Sequence, residues 1–264
     1  MTRDDTLDLL SRGTLHLEGR LVIASNATFL GEVALDGVST ACVYKPVRGE
    51  RPLWDFPDGT LAAREAAAYD VSVASGWDLV PETVLRDGPL GPGMCQRWVV
   101  EAQPERELVD LVPVDEVGAG WLTVLEGQDE RGRAVALVHA DDPALQQMAL
   151  FDAIVNNADR KGSHILATAH GPTLGVDHGV CFHADDKLRT VLWGWAGTQI
   201  PDSLLDTARA LAAEVRGGGL ATRLAELLSR PERRALDGRL ERMVAAGRFP
   251  LPSPGWPAIP WPAF

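Results

Sequence analysis

The sequence contains no apolar run that reaches the 18 or more residues needed to cross a bilayer. Its first ten residues, MTRDDTLDLL, are acidic where a secretory signal would be basic. Cysteine is scarce, because Cys42, Cys95 and Cys181 are the only three, and their wide spacing forms no C-x-x-C pair. We therefore expect a reduced, cytoplasmic protein with no transmembrane segment.

Basic residues are also in deficit, since 25 Lys and Arg face 37 Asp and Glu and leave a formal charge of -12. Such a balance argues against nonspecific nucleic-acid binding, which needs basic surface to neutralise phosphates. The net negative charge does not exclude a small local basic pocket that binds a nucleotide. The sequence has no G-x-x-x-x-G-K-[ST], G-x-G-x-x-G, G-x-S-x-G or H-E-x-x-H motif, which disfavours P-loop ATPases, dinucleotide dehydrogenases, elbow-type serine hydrolases and zincins.

The 264 residues are 45% hydrophobic and 23% charged, as in ordinary soluble domains. In residues 1–99, β-branched and apolar stretches broken by turn residues predict strands at 15–24, 28–35, 39–45, 82–86 and 94–99. One helix is predicted from about residue 60 to 75, with Asp58 or Thr60 as its N-cap and Gly76 as its stop. This part of the chain is predicted to be a small sheet that carries one main helix.

Residues 100–250 are predicted to be mostly helical. Asp142 followed by Pro143 is a typical helix start, and further helices are expected at 202–216, 220–228 and 231–246. Two short strands, at 165–168 and 173–176, are predicted to form a hairpin that ends at Asp177. The Pro- and Trp-rich tail, residues 251–264, either binds a partner in a polyproline II conformation or folds back over apolar surface.

Three residues in the second region have side chains suited to holding a metal and a base. Asp159 lies in the polar segment NNADRKGSH, His164 follows five residues later, and Asp177 ends the predicted hairpin within V-D-H-G. Two carboxylates that face each other across a loop are one way to place a metal beside a general base. The plainer interpretation is that both aspartates only start turns.

The order of these residues is typical of kinases, which pair a base Asp with a metal ligand five positions later and a second metal Asp in a D-x-G segment. A kinase also needs a lysine late in a strand of its small sheet and a glutamate on the following helix. Lys45 ends the strand V-Y-K and Glu65 lies in the predicted helix. We expect Glu65 to hold Lys45, and Lys45 to bind the α- and β-phosphates of ATP.

Over about residues 10 to 245, the motifs A-S-N-A-T-F-L, V-Y-K-P, N-A-D-R-K and V-D-H-G resemble the phosphatidylinositol 3-/4-kinase-like and HipA-type branch of the kinase superfamily. The chain is most similar to an actinobacterial family of phosphatidylinositol kinase-like proteins. The resemblance implies an α+β, two-lobed kinase-like fold, with a β-rich N-lobe, a mostly helical C-lobe and ATP between them. It implies a hinge that contacts adenine, made of Gln96, Arg97, Trp98 and Val99. It implies a turn over the phosphates, made of Ser25, Asn26, Ala27 and Thr28, whose backbone amides replace a Gly-rich loop.

The chain departs from its relatives at two positions. They usually carry Asn where this chain has His164, and imidazole suits Mn²⁺ better than Mg²⁺. We therefore expect either ion to serve at His164 and Asp177, with Mn²⁺ preferred. Lipid kinases place His after the D-R pair, where this chain has Lys161.

The sequence as a whole predicts an ATP-dependent kinase in which Asp159 orients or deprotonates an acceptor hydroxyl. Arg160 or Lys161 is expected to stabilise charge during transfer. The acceptor stays open between a protein, an inositol-type molecule and another small metabolite. A nucleotide-binding regulatory pseudokinase and a kinase-fold AMP transferase are the alternatives.

Overall fold

The computed structural model describes residues 1–21, 26–51, 53–56, 60–102, 107–168 and 171–264. A β-rich N-terminal lobe is followed by a C-terminal lobe in which helices predominate, as expected from the sequence. Among the described residues, no helix combines the length and apolar character needed to cross a membrane.

The N-lobe is an antiparallel five-stranded sheet with the strand order β1-β2-β3-β5-β4. Its strands are β1 (Thr14–Arg20), β2 (Phe29–Leu35), β3 (Val38–Pro46), β4 (Thr83–Gly88) and β5 (Gly91–Arg97). These strands match the predicted ones to within a few residues, although the predicted strand segment at 22–24 lies outside the described residues. The sheet places Lys45 near the end of the central strand β3, paired with Met94 of β5.

One face of this sheet is covered by a helix that we did not predict, α1 (Arg3–Arg12). Thr2 and Asp5 form a capping box at its start, because each side chain accepts a hydrogen bond from the other residue's backbone N–H. Leu9 and Leu10 pack with Val33 and Tyr44 in a small apolar cluster of the N-lobe. The helix thus keeps the sheet face away from water.

The main helix of the N-lobe is α2 (Leu61–Ser75), which ends at Gly76 in the left-handed region at φ 69°. A glycine adopts this conformation without steric cost, as the sequence predicted. At the other end, the carboxylate of Glu50 accepts a hydrogen bond from the Ala62 N–H at 2.9 Å. Thr60 makes no capping bond with its side chain, and the other predicted cap, Asp58, lies outside the described residues.

The C-lobe begins with an antiparallel sheet that the sequence analysis did not predict. It has the order β6-β8-β7 and consists of β6 (Val109–Pro113), β7 (Trp121–Gln128) and β8 (Ala134–Ala140). Most residues of β8, including Val138, are buried on both faces of the sheet. Its sequence is therefore a continuous run of apolar residues, without the alternation of apolar and polar residues that marks a half-exposed strand. Such a run does not distinguish a buried strand from a buried helix.

The rest of the C-lobe follows the prediction closely. Its elements are α3 (Pro143–Val155), the hairpin strands β9 (Ile165–Leu166) and β10 (Leu174–Gly175), α4 (Asp202–Gly217), α5 (Gly219–Leu227) and α6 (Arg230–Ala246). Asp142 caps α3 by accepting from the Ala144 N–H at 2.8 Å. The core of this lobe joins α3 to the buried side of α2, and it includes Cys181 and Phe182. Helix α3 therefore delivers residues 156–164 to the boundary between the lobes.

Candidate active site

The residues Lys45, Glu65 and Asp177 come together between the lobes, although 132 positions separate the first from the last. The Lys45 Nζ lies 2.7 Å from Glu65 Oε1 and 2.8 Å from Asp177 Oδ1. Burial alone would lower the pKa of Lys45, but the charges of Asp177 and Glu65 outweigh it and raise that pKa. Lys45 is therefore a fixed positive charge at the cleft.

Glu65 connects this lysine to the segment that carries Asp177. Its side chain is almost fully buried, and its second oxygen accepts a hydrogen bond from the His178 backbone N–H at 2.9 Å. The charge of Lys45 holds the pKa of Asp177 well below its usual range. Asp177 adopts the left-handed conformation at φ 61°, which is uncommon for a residue with a side chain and turns the chain sharply after β10.

His164 faces Asp177 with the nitrogen that can bind a metal. Its Nε2 lies 3.5 Å from Asp177 Oδ2, while its Nδ1 lies 3.0 Å from the Asp159 carbonyl oxygen. A carbonyl oxygen only accepts, so Nδ1 carries the proton and Nε2 keeps its lone pair. Burial lowers the pKa of His164 to about 4, in spite of the opposing charge of Asp177. The imidazole is therefore neutral near pH 7.

These two residues place two possible metal-binding atoms next to each other. Their donor atoms are close enough for one ion to contact both at a ligand distance of about 2.1 Å. In the described ranges, no group of three or more His, Cys, Asp or Glu residues could hold an ion. A metal held by this pair would need further ligands besides these two side chains.

Asp159 lies beside this pair, in the loop of residues 156–164 that follows α3. Its backbone N–H donates to Asn157 Oδ1 at 3.0 Å, which fixes the turn. Its carboxylate has two cations nearby, Lys161 Nζ at 3.5 Å and Arg189 Nη2 at 3.8 Å. Burial raises the pKa of Asp159, although both cations oppose the shift. Lys161 therefore lies beside the Asp159 carboxylate, and its predicted role in stabilising charge during transfer stays a prediction.

Arg160 takes a different position from the one expected for a residue that contacts phosphate. Its guanidinium is fully buried and binds the carboxylate of Asp152 on α3, with the Nη2 to Oδ1 distance at 2.8 Å. Its Nη1 donates to the carbonyl oxygens of His164 and Val176. Gly175 leaves room for it, since a Cβ there would lie 3.0 Å from Arg160 Nη2. Arg160 therefore ties α3 to the segments that carry His164 and Asp177.

The predicted turn over the phosphates is only partly described, because Ser25 lies outside the described residues. The Asn26 side chain accepts a hydrogen bond from the Arg51 N–H at 2.9 Å. The Ala27 N–H donates to the Gly49 carbonyl at 3.2 Å, and the Thr28 hydroxyl donates to the Asn26 carbonyl. The Ala27 amide is thus already used within the protein, which differs from the predicted phosphate cradle.

The predicted hinge residues lie at the end of β5. The buried Gln96 side chain donates to Thr83 Oγ1, and the N–H groups of Arg97 and Trp98 donate to carbonyl oxygens of Glu82 and Ala41. Trp98 is partly exposed and Val99 is buried. The backbone N–H groups of Arg97 and Trp98 are therefore already used within the protein. A contact with adenine at this hinge would have to come from backbone carbonyl oxygens or from the backbone of Val99.

A cavity of about 440 Å³ opens beside Lys45, Asp159 and Asp177. Its far wall consists of residues that the sequence analysis did not single out for the site, namely Leu53, Trp54, Asp55, Phe56, Arg189 and Trp256. The volume is within the range of small-molecule sites. The aromatic content of the segment PLWDFP was the only sequence signal for this wall.

Lys187 holds that wall together. Its Nζ lies 3.0 Å from Asp55 Oδ2 and sits over the rings of Trp54 and Trp256, at 4.7 and 4.5 Å from their centroids. A cation over an aromatic face is attracted by the ring quadrupole. The contact joins an N-lobe loop, the segment after Asp177 and the C-terminal tail.

The tail folds back across the C-lobe, which is the second of the two arrangements considered above. The Ala258 carbonyl accepts hydrogen bonds from the Thr190 N–H and the Trp193 indole. The Ala263 carbonyl accepts one from the Gly162 N–H at 2.8 Å. The tail therefore supports the loop that carries Asp159 and His164.

Comparison with known proteins gives one relative in sequence and several in structure. Protein Rv2133c of Mycobacterium tuberculosis is 50% identical over 270 residues, which cover 99% of this chain and 96% of that protein. No protein-family model matches the chain.

Solved structures of the Golgi casein kinase and of a hydra Fam20 protein are similar to this chain. The Golgi casein kinase covers 92% of this chain and 74% of its own, at 14% identity and a TM-score of 0.57. The same kinase with Mn and ADP bound gives a TM-score of 0.56. Hydra Fam20 with sugar matches at a TM-score of 0.57 and 15% identity, over 91% of this chain and 86% of its own. The chain therefore has a kinase-like fold.

Proposed function

The chain belongs to the family of the mycobacterial protein Rv2133c, and from this premise and the geometry of its cleft we propose that it is an ATP-dependent phosphotransferase that uses a divalent metal. One observation carries the proposal, namely that Lys45, Glu65, Asp177 and His164 form a single contact network beside Asp159. The kinase-like fold and a structural neighbour with Mn and ADP bound support it.

The chain's own residues account for nucleotide binding in this proposal. Glu65 holds Lys45, and Lys45 binds the phosphates of ATP as a fixed positive charge. The unprotonated Nε2 of His164 and the carboxylate of Asp177 would hold the metal, which would supply positive charge to neutralise the phosphates. Lys45 exchanges its contact with Asp177 for the nucleotide as the site fills.

Asp159 orients the acceptor hydroxyl and receives its proton. Burial raises the pKa of Asp159, which makes its carboxylate a stronger base than an exposed aspartate. Lys161 and Arg189 offset charge that accumulates around this carboxylate during transfer. Arg160 acts through the loop that it anchors and does not touch the phosphate.

The acceptor hydroxyl stays open among three classes: a protein side chain, an inositol-type molecule and another small metabolite. The resemblance to phosphatidylinositol kinase-like proteins favours the second class. The cavity of about 440 Å³ fits either small acceptor.

Product identity tests the proposal. The purified protein is incubated with ATP and Mn²⁺, and the products are separated by chromatography. We expect slow formation of ADP and phosphate, because water replaces the missing acceptor, and we expect Asp177→Asn to abolish it. Release of AMP and pyrophosphate would instead establish an AMP transferase, and nucleotide binding without turnover would establish a pseudokinase.

We expect His164→Asn to change the metal preference. Imidazole favours Mn²⁺, whereas the amide oxygen of Asn suits Mg²⁺. Turnover with Mn²⁺ should exceed turnover with Mg²⁺ in the wild type, and the ratio should fall in the variant. Titration of each ion at fixed ATP measures both ratios. An unchanged ratio would exclude His164 as a metal ligand.

A further inference from the structure

A second cavity, of about 560 Å³, lies in the C-lobe between α6 and the start of the tail. It shares no lining residue with the cavity beside Lys45 and Asp159. Its volume is within the range of small-molecule sites.

The cavity is lined by an arginine that the fold leaves incompletely paired. Arg239 is only 5% exposed, and its Nε and Nη1 donate to the carbonyl oxygens of Ile154 and His183. Its Nη2 is buried with no hydrogen-bond partner. Within the described part of the chain, no carboxylate lies within 4.0 Å of its guanidinium.

A buried cation that no carboxylate contacts is costly, because it has lost its hydration and gained only the more distant charges of Asp186 and Glu232. Burial lowers the pKa of Arg239 to about 10, which reflects this cost. The two bonds to carbonyl oxygens explain how Arg239 caps the end of α3. They leave Nη2 without a hydrogen bond in a side chain that lines the cavity.

The charge around the cavity is positive in a chain whose net charge is strongly negative. Arg242 and Arg248 also line it, and Asp186 is the only carboxylate among its lining residues. Asp186 lies 3.3 Å from Arg242, and its charge acts on Arg239 only from beyond contact distance. Trp193, Phe249 and Leu251 supply apolar wall.

We propose that this cavity is a binding site for a phosphate monoester with an apolar or aromatic group. A phosphate monoester carries about -1.5 to -2 charges at pH 7 and three acceptor oxygens, which matches three arginines set against one carboxylate. The apolar wall takes up the body of the ligand. The site is independent of the nucleotide site proposed above.

The test is a calorimetric titration of the full-length protein with phenyl phosphate. We expect saturable binding that is tighter than the binding of inorganic phosphate, because only the ester reaches the apolar wall. Binding should weaken by at least about tenfold in the double variant Arg242→Gln/Arg248→Gln. Both arginines are exposed, so this variant is expected to fold. Arg234→Gln removes one charge from an exposed position of α6 and should bind like the wild type.

Competition with nucleotide separates this proposal from the proposed function. We expect saturating ADP with Mn²⁺ to leave phenyl phosphate binding unchanged, and a failure of ADP to bind would not affect this site. No binding at millimolar phenyl phosphate would overturn the inference. Equal binding by the double variant, or displacement of phenyl phosphate by ADP, would do the same.

Discussion

Asp159→Asn is expected to lower ATP turnover by about 10²- to 10⁴-fold, which is the usual contribution of a positioned general base. The amide keeps the size of the carboxylate but cannot accept the proton of the acceptor. Nucleotide affinity should stay close to that of the wild type, because Lys45, His164 and Asp177 still bind the phosphates and the metal. Turnover is measured as ADP release, and affinity by titration with ADP and Mn²⁺.

Asp206→Asn is the matched control for this prediction. It makes the same chemical change at an exposed carboxylate on α4, where Asp206 pairs with Arg209. We expect its turnover to equal that of the wild type. If Asp159→Asn retained full turnover, Asp159 would have no role as base and the proposed mechanism would be wrong.

Asp152→Asn is expected to lower the free energy of unfolding by about 3–5 kcal/mol, because it leaves the buried Arg160 guanidinium without its opposite charge. Both side chains of this pair are fully buried. Asp152 also accepts a hydrogen bond from the Asn157 side chain at 3.0 Å, so the same carboxylate anchors the loop that carries Asp159. Urea denaturation followed by circular dichroism measures the loss.

Asp237→Asn gives the comparison on the surface. Its carboxylate lies 2.7 Å from Arg216, with both side chains partly exposed, and such pairs contribute about 0–1 kcal/mol. A loss of less than about 1 kcal/mol for Asp152→Asn would contradict the structural role given to Arg160. Replacing both partners, as Asp152→Leu/Arg160→Met, is expected to recover part of the stability, because no charge is then left buried and unpaired.

The sequence predicted the elements with strong local signals. Gly76 and the Asp142-Pro143 pair mark helix ends through their own backbone chemistry, and both positions were correct. The sheet β6-β8-β7 was missed because its buried strand β8 is a continuous apolar run, which has no period that separates strand from helix. Helix α1 was missed although Thr2 and Asp5 form a capping box.

The order and spacing of the sequence motifs predicted that Lys45, Glu65 and Asp177 belong to one site. In the structure, Lys45 contacts both carboxylates. The roles assigned to them stay predictions. The burial of Arg160 could not be foreseen, because its partner Asp152 lies on a helix whose orientation depends on tertiary packing. The wall formed by Trp54 and Trp256 depends on a contact between residues some 200 positions apart, for which no local pattern exists.

Thermal unfolding with nucleotide tests the central claim most directly, namely that a metal-bound nucleotide occupies the cleft at Lys45 and Asp177. The wild type, Asp177→Asn and the control Asp185→Asn are melted with ATP, ADP or GTP and with Mn²⁺ or Mg²⁺. Asn tolerates the left-handed conformation of position 177, and Asp185 has an exposed carboxylate in the same segment of the chain. We predict a metal-dependent stabilisation by ATP and ADP in the wild type and the control, of about 2.7 kcal/mol at one hundred times the dissociation constant, and its loss in Asp177→Asn. No stabilisation at millimolar nucleotide, or equal stabilisation of Asp177→Asn, would contradict the account.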